Sequence, residues 1–246
     1  MKQQDKIATD NTSQENEQFA YTLAHDLQEP LNTLSGFLNL LEKNKAVTSD
    51  ADASKYIRFS QESAERLHKL ITDSLLYFST GKQVDDFEEV DLNEVLKITR
   101  GMFLVLKDDH SHILESDQLP VVFGSRTQMI QLFQNLVGNA VKYVQKGNTP
   151  CIRITCSESE NEWIFSVRDK GIGIRPEHHE KIFGTFNRLH KQSEYAGSGI
   201  GLAICRKIVA LHAGTMHVES AMGQGSNFIF TINKQLKNQH HVQKNA

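Results

Sequence analysis

Long apolar runs are missing from this chain of 246 residues. No window approaches the ~20 consecutive apolar residues that a helix needs to cross a bilayer. The N-terminal segment is polar and lacks the apolar core of a signal peptide. We therefore expect no membrane segment in this chain, a location in the cytoplasm, and disorder over residues 1–14.

Cysteine and excess positive charge are also scarce. The cysteines number three, at Cys151, Cys156 and Cys205, and such a sparse, odd set indicates reduced thiols rather than a disulfide framework. The formal net charge is −3, so the chain lacks the basic excess that accompanies nucleic-acid binding. We expect no nucleic-acid partner.

Two amphipathic helical patterns occupy the N-terminal third. From residue 15 to about 45, apolar residues recur every three or four positions, and a second such pattern runs from Ile57 to Phe78. Two helices joined by a short loop predict an antiparallel hairpin, which cannot bury both of its apolar faces alone. The simplest partner is a second copy of the chain, giving a dimeric four-helix bundle through residues 15–80. A coiled-coil spacer is the alternative interpretation.

Residues 81–86 predict a short linker, and the pattern beyond them changes to mixed α/β. Asp91 is predicted to cap the start of a helix, and helical patterns return over 126–144 and 202–211. Strand signals cover 152–156, 163–167, 215–219 and 227–232. These elements predict an α+β two-layer sandwich over residues 87–235, followed by a disordered tail at 236–246.

His25, beside the apolar stripe of the first helix, is a candidate nucleophile. A neutral imidazole is nucleophilic near pH 7, and Asp26 follows it directly as a candidate proton acceptor. Pro30 removes an amide donor five residues later and would kink the helix. Taken alone, an exposed His-Asp pair on a helix also fits an ordinary solvated face.

Downstream motifs suit a nucleotide. Asn135 and Asn139 are spaced to project from one helix face, although such asparagines can also be structural. Asp169 follows a strand pattern, and a carboxylate there can accept the exocyclic amine of adenine, while nearby glycines permit a tight turn. Glycines also precede the helix at 202–211, where backbone amides and the helix end would bind phosphate. The pattern is neither a Walker motif nor a dinucleotide fingerprint.

In this order, the motifs resemble the sensor histidine kinases of two-component signalling, over about residues 15–235. The segments at 25–30, 119–124 and 186–190 are most similar to the phytochrome-type branch. The resemblance implies a dimerisation and phosphoacceptor domain followed by a Bergerat-type ATP-binding fold. It implies that His25, assisted by Asp26, is phosphorylated by ATP and passes the phosphoryl group to an aspartate of a response-regulator receiver domain.

The resemblance also assigns the ATP site. It implies that Asn139 coordinates a Mg²⁺ ion bridging the phosphates, and that a lid between the two glycine clusters closes over the nucleotide, with Arg188 directed at the γ-phosphate. The predicted ATP-binding residues are Asn135, Asn139, Lys142, Tyr143, Asp169, Gly171, Gly173, Arg188, Gly197, Ser198, Gly199, Gly201 and Leu202. No sensor domain is recognisable, so we expect input from an upstream domain or a separate sensor protein.

Two other functions stay open at this point. GHKL-type ATPases of the gyrase and heat-shock chaperone kind share this nucleotide fold, but they use a glutamate where this chain has Asn135, which cannot act as a base. A non-enzymatic dimeric scaffold with a vestigial pocket is the second.

Glu29 stands where many kinases of this family have threonine or asparagine, and we expect weak phosphatase activity toward the regulator.

Overall fold

The computed structural model describes residues 27–28, 31–43, 47, 50–81, 87–104, 114–145, 147–189, 195 and 197–236. The chain divides into two compact units, residues 1–82 and 83–246. Among the described helices, none is both long enough and apolar enough to cross a membrane.

The first unit contains two helical segments, residues 31–43 and helix α1, Ala51–Ser79. Helix α1 begins after Asp50, whose side chain accepts hydrogen bonds from the backbone amides of Asp52 at 2.9 Å and Ala53 at 3.2 Å. These bonds satisfy amide groups that the first turn leaves without a helical partner. The second predicted helix is therefore confirmed, and it extends a few residues further toward the N-terminus than its apolar pattern.

The two helical segments pack side by side around a small apolar core. Its buried members are Leu31 and Leu38 from the first segment, and Ala64 and Ile71 from α1. Beside this core, the Gln61 amide group donates to Asn39 Oδ1 at 3.1 Å and to Glu42 Oε2 at 2.9 Å. The spacing of the buried positions follows the helical stripes in the sequence, as a hairpin requires.

The second unit is a layered α/β domain. Its main elements in chain order are β1 Glu88–Asp91, α2 Leu92–Leu104, β2 Leu114–Ser116, β3 Val121–Gly124, α3 Arg126–Lys142, β4 Ile152–Glu158, β5 Glu162–Asp169, α4 Gly201–Leu211, β6 Met216–Ser220 and β7 Ser226–Asn233. Two short 3₁₀ turns, Pro176–His178 and Lys181–Phe183, lie between β5 and α4.

The strands form two sheets. Strands β1 and β3 pair antiparallel, and the other five form a sheet in the order β2-β4-β5-β7-β6. Within the larger sheet, β2 and β4 are parallel, while the remaining pairs are antiparallel. The predicted largely antiparallel sheet is confirmed, and strands β1 to β3 are additions that the sequence patterns did not indicate, because each has only three or four residues.

Helices α3 and α4 supply the apolar layer against the sheet. The Phe133 ring of α3 meets the Phe230 ring of β7 edge-on at 5.9 Å, and Phe230 stacks on Phe165 of β5 at 4.9 Å. All three side chains are fully buried. Burial of aromatic rings between a helix and a sheet is a main source of stability in such a layer, and the predicted two-layer sandwich is confirmed.

The start of α2 shows the predicted cap. The Asp91 carboxylate accepts a hydrogen bond from the Asn93 backbone amide at 2.8 Å, and this bond lowers the pKa of Asp91. Because Asp91 is also the last residue of β1, the cap joins the small sheet directly to α2.

Candidate functional site

Three of the predicted motifs meet at one end of the second unit. Helix α3 carries Asn135, Asn139 and Lys142, and Tyr143 caps its C-terminus. Asp169 is the last residue of β5. The glycine-rich segment leads into α4, where Gly201 and Leu202 are the first two helical residues.

The end of α3 contacts the turn that follows Asp169. The backbone amide of Ile172 donates to the carbonyl oxygen of Tyr143 at 2.9 Å. A Cβ atom at Gly171 would lie 2.5 Å from the same oxygen and 2.8 Å from Asp169 Oδ1. Only glycine permits this close approach, which explains why that residue stands between the carboxylate and the helix end.

Side chains of α3 also reach the glycine-rich segment. A Cβ atom at Gly197 would lie 2.6 Å from Lys142 Nζ, and one at Gly201 would lie 3.3 Å from Asn135 Oδ1. Lys142 Nζ also donates to the Tyr143 hydroxyl at 2.9 Å. The Lys142 ammonium group and the Asn135 amide group thus lie directly against the backbone of the glycine-rich segment that leads into α4.

The Asp169 carboxylate is a buried acid, with only 8% of the residue exposed. Its Oδ1 atom accepts hydrogen bonds from the backbone amides of Gly171 at 2.7 Å and Ser226 at 3.1 Å. Burial raises the pKa of Asp169, and the two amide hydrogen bonds oppose that rise. A buried, oriented carboxyl group at a strand end is suited to recognising a hydrogen-bond donor of a ligand.

A turn before β7 also packs against Asp169. Gly225 has φ +80°, and a Cβ atom there would overlap the Asp169 carbonyl oxygen. The Ser220 hydroxyl accepts from the Ile174 amide at 2.8 Å and donates to the Gly225 carbonyl at 2.7 Å. Ser220, Gly225 and Ser226 are not among the predicted site residues, although the Gly-Gln-Gly-Ser segment directly before a strand is a turn signal.

Arg188 lies against the glycine-rich segment. Its Nη2 atom donates to the Tyr195 carbonyl at 2.7 Å, and a Cβ atom at Gly199, where φ is +79°, would lie 2.9 Å from Arg188 Cγ. The Tyr195 ring lies 5.0 Å from the Tyr143 ring. Tyr195 was not among the predicted site residues, yet it contacts the end of α3.

Of the remaining predicted residues, the structure describes some and not others. Asn139 is half-buried on α3, one turn beyond Asn135, and Ser198 is buried with its hydroxyl accepting from the Ile200 amide at 3.3 Å. The turn after β5 also contains Gly173, where φ is +75° and a Cβ atom would overlap the Ala221 carbonyl oxygen. The proposed nucleophile and its neighbour, His25 and Asp26, lie outside the described residues, as do Glu29 and Pro30.

Two family models match the chain in the order that the motifs predict. Residues 15–82 match the His Kinase A (phospho-acceptor) domain. Residues 124–236 match the histidine kinase-, DNA gyrase B- and HSP90-like ATPase family. The chain therefore belongs to the histidine kinase family. His25 falls within the first match, and every predicted ATP-binding residue falls within the second.

Individual relatives agree with this assignment. The chain is 39% identical over 237 residues to cyanobacterial phytochrome A of Nostoc sp., covering 94% of this chain and 31% of the relative. It is 38% identical over 214 residues to the phytochrome-like protein Cph1 of Synechocystis sp., covering 87% and 28%. The predicted similarity to the phytochrome-type branch is confirmed. The chain spans less than a third of the length of these two relatives.

One solved structure is similar over most of this chain. The crystal structure of full-length ShkA in complex with AMPPNP has a TM-score of 0.66 to this chain at 27% identity. The similarity covers 87% of this chain and 45% of ShkA.

Proposed function

We propose that this chain is the catalytic part of an ATP-dependent protein-histidine kinase that phosphorylates itself on His25. The phosphoryl group then passes to an aspartate of a response-regulator receiver domain in two-component signalling. The observation that carries the proposal is the convergence of Asp169, the α3 side chains and the glycine-rich segment in a domain of the histidine kinase ATPase family. The complex of ShkA with AMPPNP, an analogue of ATP, supports ATP as the nucleotide.

The Asp169 carboxylate suits the adenine end of ATP. Its Oδ1 atom is already held by the amides of Gly171 and Ser226. Among the described residues, no hydrogen bond reaches its second oxygen. That oxygen would accept the exocyclic amine of adenine, and a charged acceptor makes such a bond strong.

The other end of the site suits the phosphates and their cation. Lys142 Nζ lies against Gly197, and the backbone amides at the start of α4 point outward from a helix N-terminus, which favours anions. The Asn139 side chain has no hydrogen bond to another described residue, so its amide oxygen is available to hold Mg²⁺. The bound cation would supply charge neutralisation between the phosphates.

The chemical step joins His25 to the γ-phosphorus. One imidazole nitrogen forms the N–P bond, the bond from phosphorus to the β-γ bridging oxygen breaks, and ADP leaves with that oxygen. Asp26 would orient or accept the proton on the other ring nitrogen. Both roles rest on the sequence motif, since His25 and Asp26 lie outside the described residues.

We also propose that the helical hairpin forms a homodimer through residues 15–80. Large apolar side chains of the hairpin are exposed in the single chain, including Phe37 at 62%, Leu40 at 65% and Tyr56 at 64%. A groove of about 520 Å³, lined mainly by leucine and aromatic side chains, runs between the two helical segments. Exposed apolar patches of this kind mark protein interfaces, and the same face of a second copy would cover them.

Dimer formation is tested by measuring mass in solution. The expected mass is twice that of the 27.8 kDa chain, and Leu40→Glu should shift it toward the monomer because a charge would be buried at the interface. Lys97→Glu, on the surface of the second unit, provides the control. A monomeric wild-type chain would overturn this part of the proposal.

The kinase assignment is tested by incubating the purified chain with ATP labelled on the γ-phosphate. We expect labelled protein, stable in alkali and labile in acid, with the label mapped to His25 and transferable to a receiver domain. Steady release of phosphate without labelled protein would favour the GHKL-type ATPase. Nucleotide binding without either reaction would favour the scaffold. The cytoplasmic location, an upstream sensor and weak phosphatase activity at Glu29 stay predictions.

A further inference from the structure

His212 is a fully buried imidazole outside the predicted site. It caps the C-terminus of α4. Its Nδ1 atom lies 2.8 Å from the carbonyl oxygen of Ile208, and its Nε2 atom accepts a hydrogen bond from the backbone amide of Ser125 at 3.1 Å. Because a carbonyl can only accept and an amide can only donate, the ring must be neutral with its proton on Nδ1.

These two hydrogen bonds join the helices that form the nucleotide site. Ser125 is the N-cap of α3, and Ile208 lies in the last turn of α4. At the opposite end of the pair, Asn135 Oδ1 lies against Gly201. The two points of contact are Ser125 with His212 and Asn135 with Gly201. At 1.5 Å per residue, they are separated by roughly 15 Å along each helix. The helices therefore run antiparallel and are joined at matching positions.

The surroundings leave the His212 ring little freedom. The Phe87 ring stacks on it with 4.8 Å between centroids and 10° between planes. A Cβ atom at Gly124 would lie only 2.6 Å from both Cδ2 and Nε2 of the imidazole. The Asn233 amide also donates to the His212 carbonyl at 3.2 Å. The imidazole is thus fixed in place as well as in tautomer.

We propose that His212 is a positioning residue of the nucleotide site. Its neutral imidazole sets the placement of α3 against α4, and so the placement of Asn135, Asn139 and Lys142 against the glycine-rich segment. A Cβ atom at Gly201 would lie 3.3 Å from Asn135 Oδ1, so the Asn135 side chain lies close to the first residue of α4. The inference rests on the proposed function, because it assumes that the nucleotide binds at that segment.

The test measures the affinity of folded variants for ADP by calorimetry. His212→Phe keeps an aromatic ring against Phe87 but leaves the Ser125 amide without its acceptor, and we expect about tenfold weaker binding. His212→Gln, whose side-chain oxygen can again accept from Ser125, should recover part of the affinity. Gly124→Ala, whose methyl group would lie 2.6 Å from Cδ2 and Nε2 of the ring, should weaken binding as His212→Phe does, and it provides a second test if that variant fails to fold.

The control is Leu119→Ala, a truncation of a buried side chain that lowers stability without touching the bonds of His212. Its affinity for ADP should match that of the wild type at a temperature where both are folded. Wild-type affinity in both His212→Phe and Gly124→Ala would overturn the inference, as would equal loss in Leu119→Ala. A wild-type chain that binds no nucleotide would instead overturn the proposed function.

Discussion

Replacing Asp169 by asparagine separates the chemical role of this residue from its structural role. The side chains have nearly the same shape, so asparagine Oδ1 can keep the hydrogen bonds from Gly171 at 2.7 Å and Ser226 at 3.1 Å. The second oxygen, however, becomes an NH₂ group that faces the amine of adenine with no acceptor. Losing a hydrogen bond to a charged group costs about 1.5–3 kcal/mol, which corresponds to roughly 10- to 150-fold weaker ATP binding.

Stability should change in the opposite direction. Burial raises the pKa of Asp169 above the ordinary value of 3.8, so the folded state holds this proton more tightly than the unfolded state does. The wild-type chain therefore loses stability as pH rises through this range, and the loss is complete above the folded-state pKa. At neutral pH, Asp169→Asn should be at least as stable as the wild type, and the difference should vanish on acidification below the unfolded-state value.

Two measurements test this reasoning together. Calorimetric titration gives ATP affinity, and thermal unfolding gives stability across pH, with Asp117→Asn as a control that removes an exposed carboxylate paired with Arg153 at 3.2 Å. Wild-type affinity should also fall on acidification at a higher pH than an ordinary aspartate would produce. Unchanged ATP titration curves in Asp169→Asn, or weaker binding accompanied by a large loss of stability, would refute the argument.

Three further outcomes are expected. His25→Gln should abolish labelling by γ-labelled ATP and leave ATP affinity unchanged, and persistent labelling would place the acceptor elsewhere. Gly173→Ala should lower the free energy of unfolding, measured by denaturant titration, by more than about 4 kcal/mol, because the new methyl group would overlap the Ala221 carbonyl. The control is Gly223→Ala, where φ is +77° but a Cβ atom would have no neighbour within 4 Å. It should lower the free energy of unfolding by only about 1–2 kcal/mol. The Cys205 thiol is buried, which raises its pKa to about 12, so iodoacetamide at pH 8 should label it only after unfolding, as mass spectrometry would show.

The elements that could be predicted from the sequence are those with local patterns. Helix α3 has buried residues at helical spacing, and its predicted range differs from the observed one by two residues at the C-terminus. Strands β4, β5 and β7 were found from their β-branched and aromatic residues. Strands β1 to β3 were missed, since three or four residues are too few to establish a period.

The candidate site divides in the same way. Asp169 and the glycines around it were identifiable because residue type and neighbouring turns carry the signal. Ser226 and His212 were not, because their roles depend on partners 57 and 87 residues away in the chain. A serine before a strand and a histidine after a helix are unremarkable until packing brings a carboxylate or a helix N-cap against them.

Short-range periodicity and motif order were enough to predict the order of the two domains, the kinds of element within the second, and the histidine kinase family. The folded chain was needed to show that the Asp169 carboxyl group is buried, that Lys142 and Asn135 lie against the glycine-rich segment, and that His212 joins α3 to α4. Burial and hydrogen-bond partners are properties of the packed chain, since the groups that exclude water from a side chain come from distant segments.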